Sequence, residues 1–137
     1  MLTPSDTPLL KKLGIKEGYQ ISLVSLPPGF ELELGPLPAD VVIVAGSKKP
    51  LDLVLVFAES RSELERRLAS VAARLSPSGM IWAAWPKRSS GVSTDLSFES
   101  VQSAGLAAGL VDTKICALNE TWSALRFVIR LKDRPQS

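Results

Sequence analysis

Four stretches rich in apolar and β-forming residues divide the chain and predict its first strands. They are YQISLVSL over 19–26, VVIVA over 41–45, LDLVLVF over 51–57 and MIWAAW over 80–85. VVIVA and LDLVLVF are continuous apolar runs, which are typical of strands buried on both faces of a parallel sheet. Three of the runs are followed directly by glycine or proline, and Pro27-Pro28-Gly29 is the firmest stop.

Segments with helical periodicity alternate with these runs. Thr7-Pro8 predicts the start of a short helix, LLKKL, that ends at Gly14. Ser60-Arg61-Ser62-Glu63 forms a capping box, whose first hydroxyl and last carboxylate satisfy free amides at a helix start. Glu63 also lies four residues before Arg67 on the polar side of that helix. The apolar stripe consists of Leu64, Leu68, Val71, Ala72 and Leu75.

The last third of the chain predicts one more helix and a hairpin. The helix spans residues 97–108 and ends before Gly109. Its inward residues are Phe98, Val101, Ala104 and Ala108. The segments VDTKICAL and SALRFVIRL, joined by Asn119-Glu120-Thr121-Trp122, predict an antiparallel pair of strands.

Strands that alternate with helices predict an α/β fold, a three-layer sandwich of the Rossmann-like type. The closing hairpin makes its sheet mixed, with about six strands in total. Because domains cluster near roughly 100–150 residues, we expect the 137 residues to form a single domain over 1–137. Residues 132–137 are expected to be a flexible tail.

The absence of histidine excludes more chemistry than any other compositional feature. Without histidine, Ser-His and Cys-His catalytic arrangements are impossible, and the single Cys116 leaves no zinc-ligand set. The glycines form neither G-x-G-x-x-G nor a P-loop. One cysteine, no secretory leader and no apolar run of about 20 residues lead us to expect a cytoplasmic protein. A net charge of +2 argues against a nucleic-acid partner.

From Leu51 onward the chain resembles the second half of class I S-adenosylmethionine-dependent methyltransferases. The likeness lies in LDLVLVF, the capped helix and ARLSPSGMIWAAW, followed by a last helix and a closing antiparallel pair. The resemblance implies a truncated methyltransferase-like fold. It also implies a cofactor loop rich in glycine after the first strand and an acid after the second. Here Leu26-Pro27-Pro28-Gly29 and Gly46-Ser47-Lys48 stand at those places, so S-adenosylmethionine is disfavoured and no other cofactor is expected.

The whole chain is also similar to a bacterial family of small domains of unknown function. The likeness rests on LGIKEGY, ELERRLA, WPKRSSGVSTDL and GLVDTKICALNETWSALRFV. This resemblance implies the same fold and a cytoplasmic location, and it implies no activity.

The loop after the fourth strand is the main candidate site. In open α/β sheets, ligands bind outside the carboxyl ends of the strands, where this loop must lie. Lysine, arginine and hydroxyl side chains beside a helix start suit a small anionic ligand, although hydroxyls also cap helices without binding anything. The tentative ligand-binding residues are Trp85, Lys87, Arg88, Ser89, Ser90, Thr94, Asp95, Glu120 and Trp122.

Other residues keep two interpretations. Trp82 and Trp85 should point to opposite faces of their strand, and Trp122 either meets Trp85 at a ligand edge or packs in the core. Glu59 ends the third strand at a rim position and is equally explained by its helix start. Cys116 is expected to be a small buried hydrophobe, since no histidine is present to activate it.

The sequence favours a non-catalytic binding or interaction module with a degenerate cofactor site. The alternative is a divergent small enzyme, a methyltransferase that uses the loop from Lys87 to Asp95. A protein partner, or a homodimer through an apolar sheet face that a missing helix leaves uncovered, are further possibilities.

Overall fold

A computed structural model describes residues 9–44 and 50–130, which form six strands, four α-helices and a short 3-10 helix at Arg88–Ser90. The strands are β1 (Gln20–Val24), β2 (Val42–Ile43), β3 (Leu51–Phe57), β4 (Leu75–Pro86), β5 (Leu110–Ala117) and β6 (Trp122–Ile129). The helices are α1 (Leu9–Leu13), α2 (Phe30–Leu34), α3 (Arg61–Ala72) and α4 (Phe98–Ala107). Within these ranges no helix has the length and apolar character needed to cross a membrane.

The six strands form one mixed sheet in the order β2-β1-β3-β4-β6-β5. β2, β1, β3 and β4 are mutually parallel, whereas β6 runs antiparallel to β4 and β5 runs antiparallel to β6. The predicted α/β fold with a closing antiparallel hairpin is therefore confirmed.

Helices cover both faces of the sheet and enclose two separate cores. On one face α3 and α4 contribute Leu64, Leu68 and Val101 to the first cluster. On the other face α1 and α2 contribute Leu13, Phe30 and Leu34 to the second cluster. The indole N–H of Trp82 donates to the carbonyl of Leu13 at 2.8 Å, which anchors the end of α1 to the middle of the sheet.

The capping box at α3 forms with one difference. The Ser60 hydroxyl accepts from the Glu63 N–H at 3.3 Å, as predicted. The Glu63 carboxylate reaches one residue further back than the motif requires and accepts from the Glu59 N–H at 2.9 Å. The side chain of Glu63 thereby joins the helix to the end of β3.

Three predictions about local structure are wrong. β4 begins at Leu75 rather than at Met80, because residues 75–79 pair irregularly with the start of β3 instead of ending the helix. Val42 and Ile43 are each 53% exposed, since β2 is a two-residue edge strand and is not buried on both faces. Phe98 is 38% exposed, because the buried stripe of α4 starts one turn later at Val101. Residues 7–8, 45–48 and 131–137, which also carried predictions, lie outside the described ranges.

The contact between α4 and β6 depends on a glycine. A Cβ atom on Gly105 would overlap the ring of Phe127, which is fully buried. We therefore expect Gly105→Ala to lower the free energy of unfolding by about 1–3 kcal/mol through overpacking, although alanine is the better helix former. Urea denaturation measures the change.

The control for this substitution is Ala107→Ser, at an exposed position of the same helix. It should change the free energy of unfolding by no more than about 0.5 kcal/mol. A Gly105→Ala protein as stable as the wild type would contradict the close packing of α4 on Phe127.

Candidate functional site

The connections of the sheet change direction between β1 and β3. From β1 the chain passes to β2 on one side and then returns to β3 on the other. In open α/β sheets the carboxyl ends of the strands at such a switch point diverge and leave a crevice where ligands bind. β6 is antiparallel to β4, so its first residue, Trp122, lies opposite Pro86 at this same edge.

A crevice of about 290 Å³ lies at this switch point. The end of β1 and the turn after it form one wall, the end of β3 and the start of α3 form the other, and β6 adds one ring. The lining residues are Ser25, Leu26, Pro27, Pro28, Phe57, Ala58, Glu59, Glu63, Arg67 and Trp122. A larger hollow between α3 and α4 is lined by alanines and Glu65, so it offers far less chemistry.

Arg67 and Glu63 bind the backbone at the end of β3. Arg67 donates from one nitrogen to the Phe57 carbonyl at 2.6 Å, and its other terminal nitrogen lies 3.2 Å from the Glu63 carboxylate. Glu63 in turn accepts from the Glu59 N–H. We call these contacts the Arg67 clamp. Both side chains are only 25–29% exposed, so the pair is better shielded from solvent than an ordinary surface ion pair.

The opposite wall is formed by Ser25, Leu26 and Pro27-Pro28. The two prolines carry no N–H, so this turn offers few backbone donors to a ligand. Ser25 has a φ of 58°, a conformation that side-chain-bearing residues rarely adopt. Gly29, with a φ of 82°, completes the change of direction and leads into α2.

Aromatic rings close the base of the crevice. Phe57 packs edge-to-face against Phe30 and against Trp122, with both centroid distances 4.9 Å. Asn119 holds the hairpin turn by accepting at 2.8 Å from the N–H groups of Thr121 and Trp122. Its amide also donates to Glu33 at 3.0 Å, which ties the turn to α2.

The loop predicted as the site lies beside this crevice and does not line it. Its polar side chains mainly bond within the protein. Ser90 donates to the Lys87 carbonyl at 2.6 Å, and Thr94 donates to the Glu59 carbonyl at 2.6 Å. Asp95 accepts from the Arg61 N–H at 2.8 Å and so caps the first turn of α3. These contacts fasten the loop to the start of the helix.

The two predicted tryptophans lie on opposite faces of the sheet. Trp85 belongs to the core beneath α3 and α4, whereas Trp122 belongs to the opposite core. Their rings therefore do not form a common wall, because each residue faces away from the other across the sheet. Arg88, Ser89 and Glu120 are exposed. Of the nine predicted residues, Trp122 alone lines the crevice.

Sequence reasoning missed most of the crevice. Glu59 was identified as a rim residue, and Glu63 and Arg67 were identified as an i,i+4 pair on the polar side of α3. Neither pattern reveals that Arg67 reaches the Phe57 carbonyl, because that contact depends on how α3 packs on the sheet. In the sequence, Pro27-Pro28 indicates only that a glycine-rich loop is missing. It does not reveal that this turn forms one wall of the crevice.

No alternative reactive group stands out in the described residues. Cys116 is half-buried on β5, and burial raises the pKa of its thiol despite the opposing charges of Lys12 and Lys114. A raised pKa makes the thiolate scarcer and the sulfur less reactive. The part of the chain that the structure describes contains no group of acidic, cysteine or histidine side chains able to hold a metal ion.

With this geometry in place, the sequence can be compared with known proteins. Residues 40–131 match the sequence profile of a family described as proteins of unknown function, DUF3052. The chain belongs to this family. A search among curated proteins finds no significant match.

Solved structures with a similar fold are methyltransferases. A S-adenosylmethionine-dependent methyltransferase from Aquifex aeolicus has a TM-score of 0.63 at 15% identity, over 88% of each chain. A putative methyltransferase from Thermoplasma acidophilum has a TM-score of 0.59 at 10% identity, over 95% of this chain and 77% of that one. Aeropyrum pernix fibrillarin, solved with bound S-adenosyl-L-methionine, has a TM-score of 0.58 at 13% identity, over 90% and 70%. This DUF3052 chain therefore has a methyltransferase-like fold.

The Arg67 clamp should contribute measurably to stability. Arg67→Met removes the charged donor from the Phe57 carbonyl and leaves Glu63 without its cation, so we expect a loss of about 1–2 kcal/mol in the free energy of unfolding. Urea denaturation at neutral pH tests this. Arg66→Met, at the exposed neighbouring position, is the matched control and should stay within about 0.5 kcal/mol of the wild type. Equal losses in both variants would contradict the clamp.

Proposed function

We propose that this chain is a non-catalytic binding module of methyltransferase-like fold, that it acts in the cytoplasm, and that the crevice between β1 and β3 is its binding site. The position of the crevice at the switch point supports binding there. The observation that carries the absence of catalysis is the Arg67 clamp. Its hydrogen bonds consume the Phe57 carbonyl and the Glu59 N–H, two of the backbone groups that the end of β3 would offer to a ligand.

Three features of the crevice support our proposal that it does not take S-adenosylmethionine. The turn over residues 25–28 brings two prolines to the place where a cofactor loop needs amides and a close backbone approach. The other wall has its backbone groups occupied by Arg67 and Glu63. A volume of about 290 Å³ is also at the lower end of pockets that enclose drug-sized ligands, roughly 300–1,000 Å³.

The polar groups around the crevice also support a role without catalysis. General acid–base catalysis needs a side chain with a suitable pKa within hydrogen-bond reach of the substrate. The sequence has no histidine. Asp95 is engaged with the Arg61 N–H, and Glu63 is engaged with Arg67. Each of these carboxylates is engaged in a contact that also maintains the fold.

A divergent methyltransferase is the second candidate. Its support is the similarity of fold to methyltransferases, including a fibrillarin that holds S-adenosyl-L-methionine. In that case the cofactor would displace the Arg67 clamp, and the loop from Lys87 to Asp95 would contact the substrate. Because the sequence identities are 15% or lower, the similarity supports the fold and does not by itself support methyltransferase activity.

Calorimetric titration and thermal melts with S-adenosylmethionine and S-adenosylhomocysteine separate the two candidates. We expect neither compound to bind or to raise Tm. A real cofactor at about a hundred times its Kd would add roughly 2.7 kcal/mol, or several degrees. Saturable binding that Lys87→Ala or Asp95→Ala weakens would overturn the binding-module proposal in favour of the enzyme.

We also predict a homodimer, independently of which candidate function is correct. Val42 and Ile43 on the edge strand β2 are apolar and each 53% exposed, which gives a second copy an apolar surface to cover. Light scattering during size exclusion measures the molecular mass. A single species of monomer mass at all accessible concentrations would contradict the dimer.

A further inference from the structure

The crevice is poor in backbone hydrogen-bond donors. Along the turn over residues 26–28, Leu26 alone has an N–H, because the other two residues are prolines. At the end of β3 the Ala58 N–H donates to the Ala84 carbonyl at 3.1 Å, and the Glu59 N–H donates to Glu63 at 2.9 Å. Backbone N–H groups are common ligands of anions, so the backbone of both walls offers an anion few contacts.

The charges that line the crevice also favour a cation. Glu59, Glu63 and Arg67 are its charged residues, which gives two carboxylates and one guanidinium and a net charge of −1. Arg67 is already committed to Glu63 and to the Phe57 carbonyl. Within the described ranges no cation pairs with the Glu59 carboxylate, so Glu59 supplies the unbalanced charge.

The other walls suit an apolar stem. Leu26 and Pro27 present hydrocarbon surface, and Trp122 adds an aromatic ring that remains 8% exposed. An ammonium group has three donors and no acceptor, and aromatic rings attract cations. An alkylammonium therefore matches the scarcity of backbone donors, the net charge and the apolar surface together.

We infer that the crevice binds a primary ammonium group on a short apolar stem, with Glu59 at the charged end and Leu26 and Trp122 along the stem. This inference rests on the proposed binding function and specifies the chemistry of what is bound. A free alkylamine and the side chain of a lysine in a partner protein share this chemistry.

Two pairs of probes test the inference in the full-length protein. One pair is n-butylammonium and butyrate, which are similar in size and opposite in charge. The other pair is lysine blocked at its α-amino and carboxyl groups, and the same compound acetylated on its side-chain nitrogen. Amide and indole resonances of Ser25, Ala58 and Trp122 report binding in nitrogen–proton correlation spectra. We expect the two ammonium probes to shift these resonances in a saturable manner and the two uncharged or anionic probes not to do so.

A matched pair of variants locates the charge that is responsible. Glu59→Gln should weaken binding of the ammonium probes by about two- to fivefold, the size expected for one partly exposed charge pair. Glu99→Gln, on the exposed first turn of α4 and outside the crevice, should leave binding unchanged. Since both variants keep a side chain of the same shape, correlation spectra confirm that each retains the wild-type fold.

Each outcome decides one question. Binding of blocked lysine alone identifies a protein side chain as the ligand, whereas binding of n-butylammonium alone identifies a free amine. Butyrate binding as strongly as butylammonium, shifts absent with both ammonium probes, or equal affinities in Glu59→Gln and wild type would overturn the inference. Those results would leave the binding-module proposal standing, because that proposal fails only when S-adenosyl compounds bind.

Discussion

Burial of β3 on both faces is the constraint on which the rest of the structure depends. Leu53, Leu55 and Phe57 enter one core, while Val54 and Val56 enter the other, and all five are essentially inaccessible to solvent. A strand without a polar face must be covered on both sides. The helices therefore divide into two layers, and the end of β3 emerges between them, next to the end of β1. The crevice is located where the two layers begin to separate.

Helix α3 connects the core to the crevice. Leu64 and Leu68 bury their side chains against the sheet, and Glu63 and Arg67, each one residue before a buried leucine, turn towards the end of β3. The same helix thus stabilises the core and forms hydrogen bonds with backbone groups at the switch point. Two side chains thus occupy the Phe57 carbonyl and the Glu59 N–H without any change in the architecture.

Hydroxyl and carboxylate side chains near a helix start have two uses, and the structural use is present in this protein. Thr94 and Asp95 bind the Glu59 carbonyl and the Arg61 N–H, so a loop with the composition of an anion site serves to fix the start of α3. The hairpin turn follows the same principle, since Asn119 organises the turn and fastens it to Glu33. These contacts position Trp122 and Glu59 around the crevice although most of them lie outside it.

The sequence by itself determined the fold class, because apolar runs, the Ser60 capping box and the Pro27-Pro28 stop are local signals whose meaning does not depend on distant residues. It also excluded Ser-His and Cys-His catalytic arrangements, because a sequence without histidine lacks them in every conformation. The tertiary structure alone decided which residues line the crevice. Arg67 and Phe57 are ten positions apart, and the wall opposite them comes from residues 25–28, so their meeting depends on strand order and helix packing. The opposite faces taken by Trp85 and Trp122 were decided in the same way, by the register of β6 against β4.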